Sequence, residues 1–200
     1  MAEAPASVTP GTAGETPADR RRRWLLFGGL AGVVVLLDQA TKIWVDRSFT
    51  LASRGIPAGE PGGPTEVVGD LLRIAKTYND GAIFGLLETS AMLMAALSVV
   101  VIIGITWYQW RHGAGLGPLV TIGLGLLLGG AVGNLIDRVA HGYVSDFVDM
   151  GVGDSRWYAW NIADAAVFLG ILALFAAALL GDRVSPPRRA RGVHAGEDQA

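Results

Sequence analysis

The chain has 200 residues, enough for one domain of ordinary size, yet only 17% of them are Asp, Glu, Lys or Arg, against about a quarter in soluble domains. The hydrophobic share is 51%, Gly adds 28 residues, and the mean hydropathy is +0.41. Disorder is excluded and a soluble globule disfavoured, because a 20.9 kDa sphere cannot hide that much apolar surface. A formal net charge of −2 argues against a nucleic-acid partner, and the lack of Cys excludes disulfides, thiolate nucleophiles and zinc–sulfur sites.

Residues 1–19 are rich in Ala, Pro, Thr, Gly and Glu, and are expected to form a disordered N-terminal tail. Trp24–Val45 is long enough to cross a bilayer, with Asp38, Gln39, Thr41 and Lys42 near its far end. No small-residue cleavage site follows it and apolar character resumes at Ile43–Val45, so it reads as a retained span and not as a signal peptide. The loop over 46–90 is too long to be a mere connector. Within it, Pro57–Pro64 reads as a mobile, turn-rich tip, and Val67–Thr77 as a small β-structured or amphipathic platform.

The second and third spans are Ala91–Trp110 and Leu116–Ile136. Ser98 and Thr121 inside them are expected to bond to the preceding helical turn. Gly123–Gly130 reads as close helix packing through small residues, not as a phosphate cradle, because no strand precedes it. In the loop over 137–159, Val144–Met150 alternates apolar and polar residues, as a short strand or loop at the interface does. Trp160–Leu180 is the fourth span, and 184–200 is a second tail expected to be disordered. The predicted fold is therefore an all-α membrane protein, with four transmembrane helices over 20–183 and a small extracytoplasmic platform.

Arg20, Arg21, Arg22 and Arg23, then Arg111 and His112, then Arg183, Arg188, Arg189 and Arg191 flank alternate ends of the spans. The other two loops carry more acid than base, so the positive-inside rule puts both termini in the cytoplasm and those loops outside. The intramembrane polar residues gather toward the same outer face: Asp38 and Lys42, Asn79, Asn134 with Asp137 and Arg138, Asp146, and Asn161 with Asp164. Spacings of three and four residues align the members of each helical set on one face. Polar side chains at such depth face a cavity or one another, so one outward-facing polar pocket is expected.

Several chemistries fail on residue supply. No G-x-S-x-G is present, His141 beside Ser145 is a poor basis for a triad, and Asp137 with His141 lacks further metal ligands. Carboxylates remain. Two Asp side chains in a low-dielectric site share one proton, and such a pair activates water without Cys, Ser, His or metal. Spacing alone leaves open whether Asp137 or Asp146 belongs to that pair. A carboxylate-lined cation or proton transporter is the alternative; it predicts inverted repeats and polar residues reaching the inner leaflet, and neither is apparent.

Five motifs in order, over Trp24–Leu180, resemble those of the bacterial lipoprotein signal peptidases (signal peptidase II). They are D-Q-x-x-K at Asp38–Lys42, NDGAIF at Asn79–Phe84, G-G-x-x-G-N-x-x-D-R at Gly129–Arg138, V-x-D-F at Val144–Phe147 and N-x-A-D ending at Asp164. Ile83 and Trp160 stand where the family usually has Ala and Phe. The resemblance implies an aspartyl endopeptidase of the bacterial inner membrane that cuts diacylglyceryl-modified prolipoproteins just before the lipidated Cys. It puts the catalytic dyad on Asp146 and Asp164. It also implies that Asn79, Asn134, Arg138 and Asn161 orient substrate and dyad, with Gly81 and Ala163 in the same supporting set. Asp38 and Lys42 would brace the first helix, with Asp137 a further brace. Substrate and membrane lipid are the implied partners; no metal, cofactor, nucleic acid or obligate protein partner is implied.

Overall fold

The computed structural model describes residues 16–53, 56–80 and 91–181. Helix α1 (Pro17–Ser48) begins earlier than expected, inside the supposed disordered tail. The reason is a capping box: Thr16 Oγ1 accepts from the Asp19 amide at 3.2 Å and donates to the Asp19 carboxylate at 2.8 Å, with Pro17 opening the first turn. Residues 1–15 and the whole C-terminal tail over 184–200 lie outside the described residues.

The remaining elements are β1 (Thr65–Val68), β2 (Leu72–Asn79), α2 (Ala91–His112), a 3-10 turn (Gly113–Gly115), α3 (Pro118–His141), β3 (Val144–Val152), β4 (Ser155–Arg156) and α4 (Ile162–Leu180). All four long helices are apolar enough to cross a bilayer. The shortest, α4, has 19 residues and covers about 28 Å at 1.5 Å per residue. The platform is a β-sheet. Its four strands run in the order β1-β2-β3-β4, all antiparallel, with Thr77 opposite Asp146 and Asn79 opposite Val144. The two long loops thus supply one sheet between them.

Helix α3 is the hub against which the other three pack. Its glycines permit the approach. A Cβ on Gly129 would lie 2.6 Å from the Val34 side chain of α1, and one on Gly130 would overlap the Ala163 carbonyl of α4. Ser98 and Thr121 bond to Met94 and Gly117 carbonyls one turn back, as the sequence predicts. Helix α3 ends at Gly142, whose φ of +82° is a left-handed cap; its amide donates to Arg138 O and the chain turns straight into β3. That turn holds the V-S-D-F segment beside the helix carrying Asn134 and Asp137. Away from the sheet, Phe27, Leu116 and Leu124 form the apolar core, backed by Trp24, Ile105 and Leu174.

Candidate active site

The polar residues of α1, α3, α4 and β3 meet where the bundle touches the sheet. Asn161 is at the centre, 0% exposed. Its side-chain Nδ2 donates to Asp146 Oδ1 at 2.7 Å, and its Oδ1 accepts from the Asp164 amide at 3.0 Å as the N-cap of α4. Its own backbone N–H donates to Asp164 Oδ2 at 3.3 Å. One residue therefore bonds both acids, and the cap that starts α4 also orients them.

Each acid has a second donor. Asn79 Nδ2, at the end of β2, donates to Asp146 Oδ2 at 3.0 Å, and Thr77 Oγ1 donates to Asp146 O at 3.2 Å across the strand pair. Asn134 Nδ2, from α3, donates to Asp164 Oδ1 at 2.7 Å. Burial is the main force acting on Asp146, which lies on β3 outside the helices, and pushes its pKa up to about 6. The neighbouring Asp164 charge acts in the same direction; the Asn79 and Asn161 hydrogen bonds and the Lys42 charge oppose it.

Behind the two acids lies a buried ionic network. Lys42 Nζ sits 2.8 Å from Asp38 and 2.9 Å from Asp137, and donates to Asn134 Oδ1 at 3.2 Å. Asp38, 0% exposed, also accepts from the Ala163 amide at 2.9 Å, and Asp137 accepts from the Ser145 amide at 3.1 Å. Taking two carboxylates and an ammonium out of water is repaid only when their remaining lone pairs and protons are bonded, as here. The network ties α1 to α3, α4 and β3, and through Asn134 it reaches Asp164.

Most of the residues singled out in the sequence thus converge: Asp38, Lys42, Asn79, Asn134, Asp137, Asp146, Asn161, Ala163 and Asp164. Gly81 lies outside the described residues. The adjacent Asp137 and Arg138 do not form a pair: Asp137 turns to Lys42, while Arg138 Nη1 donates to Asn134 O at 3.3 Å, because residues one apart on a helix point about 100° away from each other. Gln39 was noted only as a polar residue of the first span, yet its Nε2 donates to Asp38 at 3.1 Å, Asp137 at 3.0 Å and Gly133 O at 3.2 Å. Its place beside Asp38 in an apolar span was the available signal.

The chain matches the family described as signal peptidase (SPase) II over residues 30–180. Among curated relatives, a lipoprotein signal peptidase of Rhodopseudomonas palustris is 37% identical over 164 residues, covering 78% of this chain and 93% of that protein. A lipoprotein signal peptidase of Mycolicibacterium smegmatis is 34% identical over 183 residues, covering 88% and 70%. Two solved structures, both described as bacterial membrane enzymes, share the fold with TM-scores of 0.64 and 0.65. They are 22% and 24% identical, cover 94% and 84% of this chain, and are themselves 98% and 97% covered. A four-span frame, five motifs in order and relatives matched over most of their length lead to one conclusion: the chain belongs to the signal peptidase II family, and is a lipoprotein-processing protease of the membrane.

Proposed function

We propose that this protein cleaves diacylglyceryl-modified prolipoproteins just before the lipidated Cys, using Asp146 and Asp164 as an aspartic dyad. The observation that carries the reading is the double bonding of Asn161 to both acids. An acid buried at a pKa of about 6 beside a second acid suits a pair that shares one proton. In the proposed step Asp164 takes a proton from water as the water oxygen attacks the scissile carbonyl carbon, and Asp146 gives its proton to the carbonyl oxygen. Collapse of the resulting diol returns a proton to Asp146, breaks the C–N bond and sends the Asp164 proton to the leaving amine. Asn79, Asn134 and Asn161 hold the acids in place; Asp38, Lys42, Gln39 and Asp137 fix the helices behind them; Arg138 anchors to the Asn134 carbonyl. Gly81 and Ala163 belong to the same proposed substrate-binding or dyad-supporting set, Ala163 through its buried amide on Asp38.

The catalytic unit runs from the α1 cap to the end of α4. A lipid-modified substrate reaches such a site laterally, and the exposed apolar faces of the helices suit that route. With Arg20–Arg23 and Arg111 at the end opposite the sheet, the positive-inside rule supports cytoplasmic termini and a dyad toward the outer face of the inner membrane.

The test is cleavage of a diacylglyceryl-modified precursor by purified protein in detergent. Asp146→Asn and Asp164→Asn should each lose roughly a thousandfold or more in rate while keeping their helical content. Full cleavage by either variant overturns the dyad, and equal cleavage of the unlipidated precursor overturns the substrate.

A further inference from the structure

Among the described residues, three asparagines bond the two acids, and they are not equally well seated. Asn134 lies within α3 and Asn161 caps α4, whereas Asn79 is the last residue of β2 and is exposed. Its Nδ2 nevertheless stays 3.0 Å from Asp146 Oδ2. Strand ends fray unless something holds them.

The support for this one is on the other face of the sheet. Side chains alternate along a strand, so Tyr78 turns away from the face that carries Thr77 and Asn79. Across the ladder Tyr78 is opposite Ser145, and its ring stacks on that of Tyr143, with centroids 4.0 Å apart and planes 30° from parallel. Tyr143 adjoins Val144, the strand partner of Asn79, so the stack is a diagonal cross-strand contact at the very end of the pair. A hydrogen bond from Tyr78 is the main cause of a Tyr143 pKa above its ordinary value.

The stack is anchored on both sides. Lys76, buried two residues back on β2, holds its Nζ 5.7 Å from the Tyr78 ring centroid. The same Nζ pairs with the Asp46 carboxylate in the last turn of α1 and donates to Asp46 O at 3.3 Å. His141, which ends α3, stacks on Tyr143 at 5.7 Å. A run of side chains, Asp46–Lys76–Tyr78–Tyr143–His141, thus crosses from α1 to α3 behind the strands that present Asn79 and Asp146. Among the described residues, neither acid accepts a hydrogen bond from any member of that run.

We propose that Tyr78 is a positioning residue for the cleavage: stacked on Tyr143 and braced through Lys76 against α1, it holds the end of β2 so that the Asn79 amide stays on Asp146 Oδ2. The proposal rests on the dyad reading above and adds to it a residue that acts on Asp146 only through Asn79. Without the ring, β2 and β3 remain paired at Leu72, Arg73 and Ile74, but their other ends are free to part. Asp146 then loses a donor that steadies its ionised form.

The experiment measures kcat, KM and the pH profile of the full chain in detergent, on a diacylglyceryl-modified precursor, for Tyr78→Ala, Tyr78→Phe, Asn79→Ala and the double variant Tyr78→Ala/Asn79→Ala. At about pH 5, where Asp146 holds its proton, Tyr78→Ala should lose roughly tenfold in kcat while KM changes less than about twofold. Its alkaline limb should move upward, as in Asn79→Ala and by no more. Tyr78→Phe keeps the stack and should restore both kcat and limb. The double variant should match Asn79→Ala alone, since the ring acts through that amide. The charged groups around Asp146, namely Lys42 on α1, Asp137 on α3 and Asp164 on α4, are the same in every variant. His141→Gln removes the imidazole beside the stack and should leave the limb in place. Tyr143→Ala removes the stack from the other strand and must reproduce the pattern, so the test survives a Tyr78→Ala chain that does not fold.

The proposal is overturned by a Tyr78→Ala chain with unchanged kcat and limb, by a Tyr78→Phe chain as impaired as Tyr78→Ala, by losses that multiply in the double variant, or by a limb that disappears with His141. Asp146→Asn is measured alongside. Full cleavage by that variant overturns the dyad and this role with it, whereas an inactive Asp146→Asn beside an unimpaired Tyr78→Ala overturns the positioning role alone.

Discussion

At the sheet end of the bundle, the buried Asp38, Lys42, Asp137, Asp146 and Asn161 each bond to two or more partners drawn from different elements. At the opposite end, the buried amide of Gln109 has none among the described residues. Both regions pay the cost of taking polar groups out of water, and only the first recovers it internally. A saturated network is rigid and ties Asp146 and Asp164 to the same residue, Asn161. An unsaturated one leaves that cost uncompensated. Buried polarity in the same chain thus has two outcomes, and the hydrogen-bond partners separate them.

Removing the cation is the severest way to break the sheet end. Lys42→Met leaves Asp38 and Asp137 buried without their shared counter-charge, and should cost about 3–5 kcal/mol, read as a large fall in Tm and loss of activity. Gly130→Ala comes next: its methyl would overlap the Ala163 carbonyl, prying α4 from α3 one residue before Asp164, at about 1–3 kcal/mol. Its rate loss should exceed what the same destabilisation causes elsewhere on α4, since the displacement moves Asp164, a member of the proposed dyad.

Acidity sharpens the comparison without disturbing the fold. The folded-state pKa of Asp146 is about 6, above its ordinary 3.8, so the folded protein favours the protonated acid. Stability from this group is greatest at low pH and falls as pH rises from 3.8 through about 6, above which it is fully lost. If the dyad needs that proton, kcat/KM should show an alkaline limb near 6. Asn79→Ala removes a hydrogen bond that lowers the Asp146 pKa, so the limb should move upward in that variant. A profile flat from pH 5 to 8 would sink this assignment. The smallest effect belongs to the other end: Gln109→Leu should gain about 1 kcal/mol in a neutral bilayer, seen as a modest rise in Tm.

Much of this architecture was legible in the residues. Four apolar runs of spanning length, the arginine asymmetry and the Gly123–Gly130 stripe anticipate the helices and their close packing, because bilayer thickness and backbone approach impose local requirements on sequence. Spacing also paired Asp38 with Lys42 and Asn161 with Asp164, since both pairs lie within one helical turn. The start of α1 was misjudged because Thr16 to Asp19 looks like tail composition until it is read as a capping box. Asp137 and Arg138 find different partners because neighbours in sequence diverge around a helix. Gln109 gave no signal at all: a lone Gln beside Trp110 and Arg111 reads as the end of a span.

From residue types and spacing alone, the chain reads as a four-span membrane protein whose expected chemistry is that of carboxylates, because hydrocarbon thickness and residue supply are properties of the sequence itself. Whether Asp137 or Asp146 shares Asn161 with Asp164 is a different kind of question. Asp137 and Asp146 are nine residues apart, and periodicity treats them alike. The left-handed turn at Gly142 and the pairing of β3 with β2 put Asp146 within reach of Asn161, while Asp137 is drawn to Lys42. That choice depends on contacts between elements far apart in the chain, and only the tertiary structure makes them.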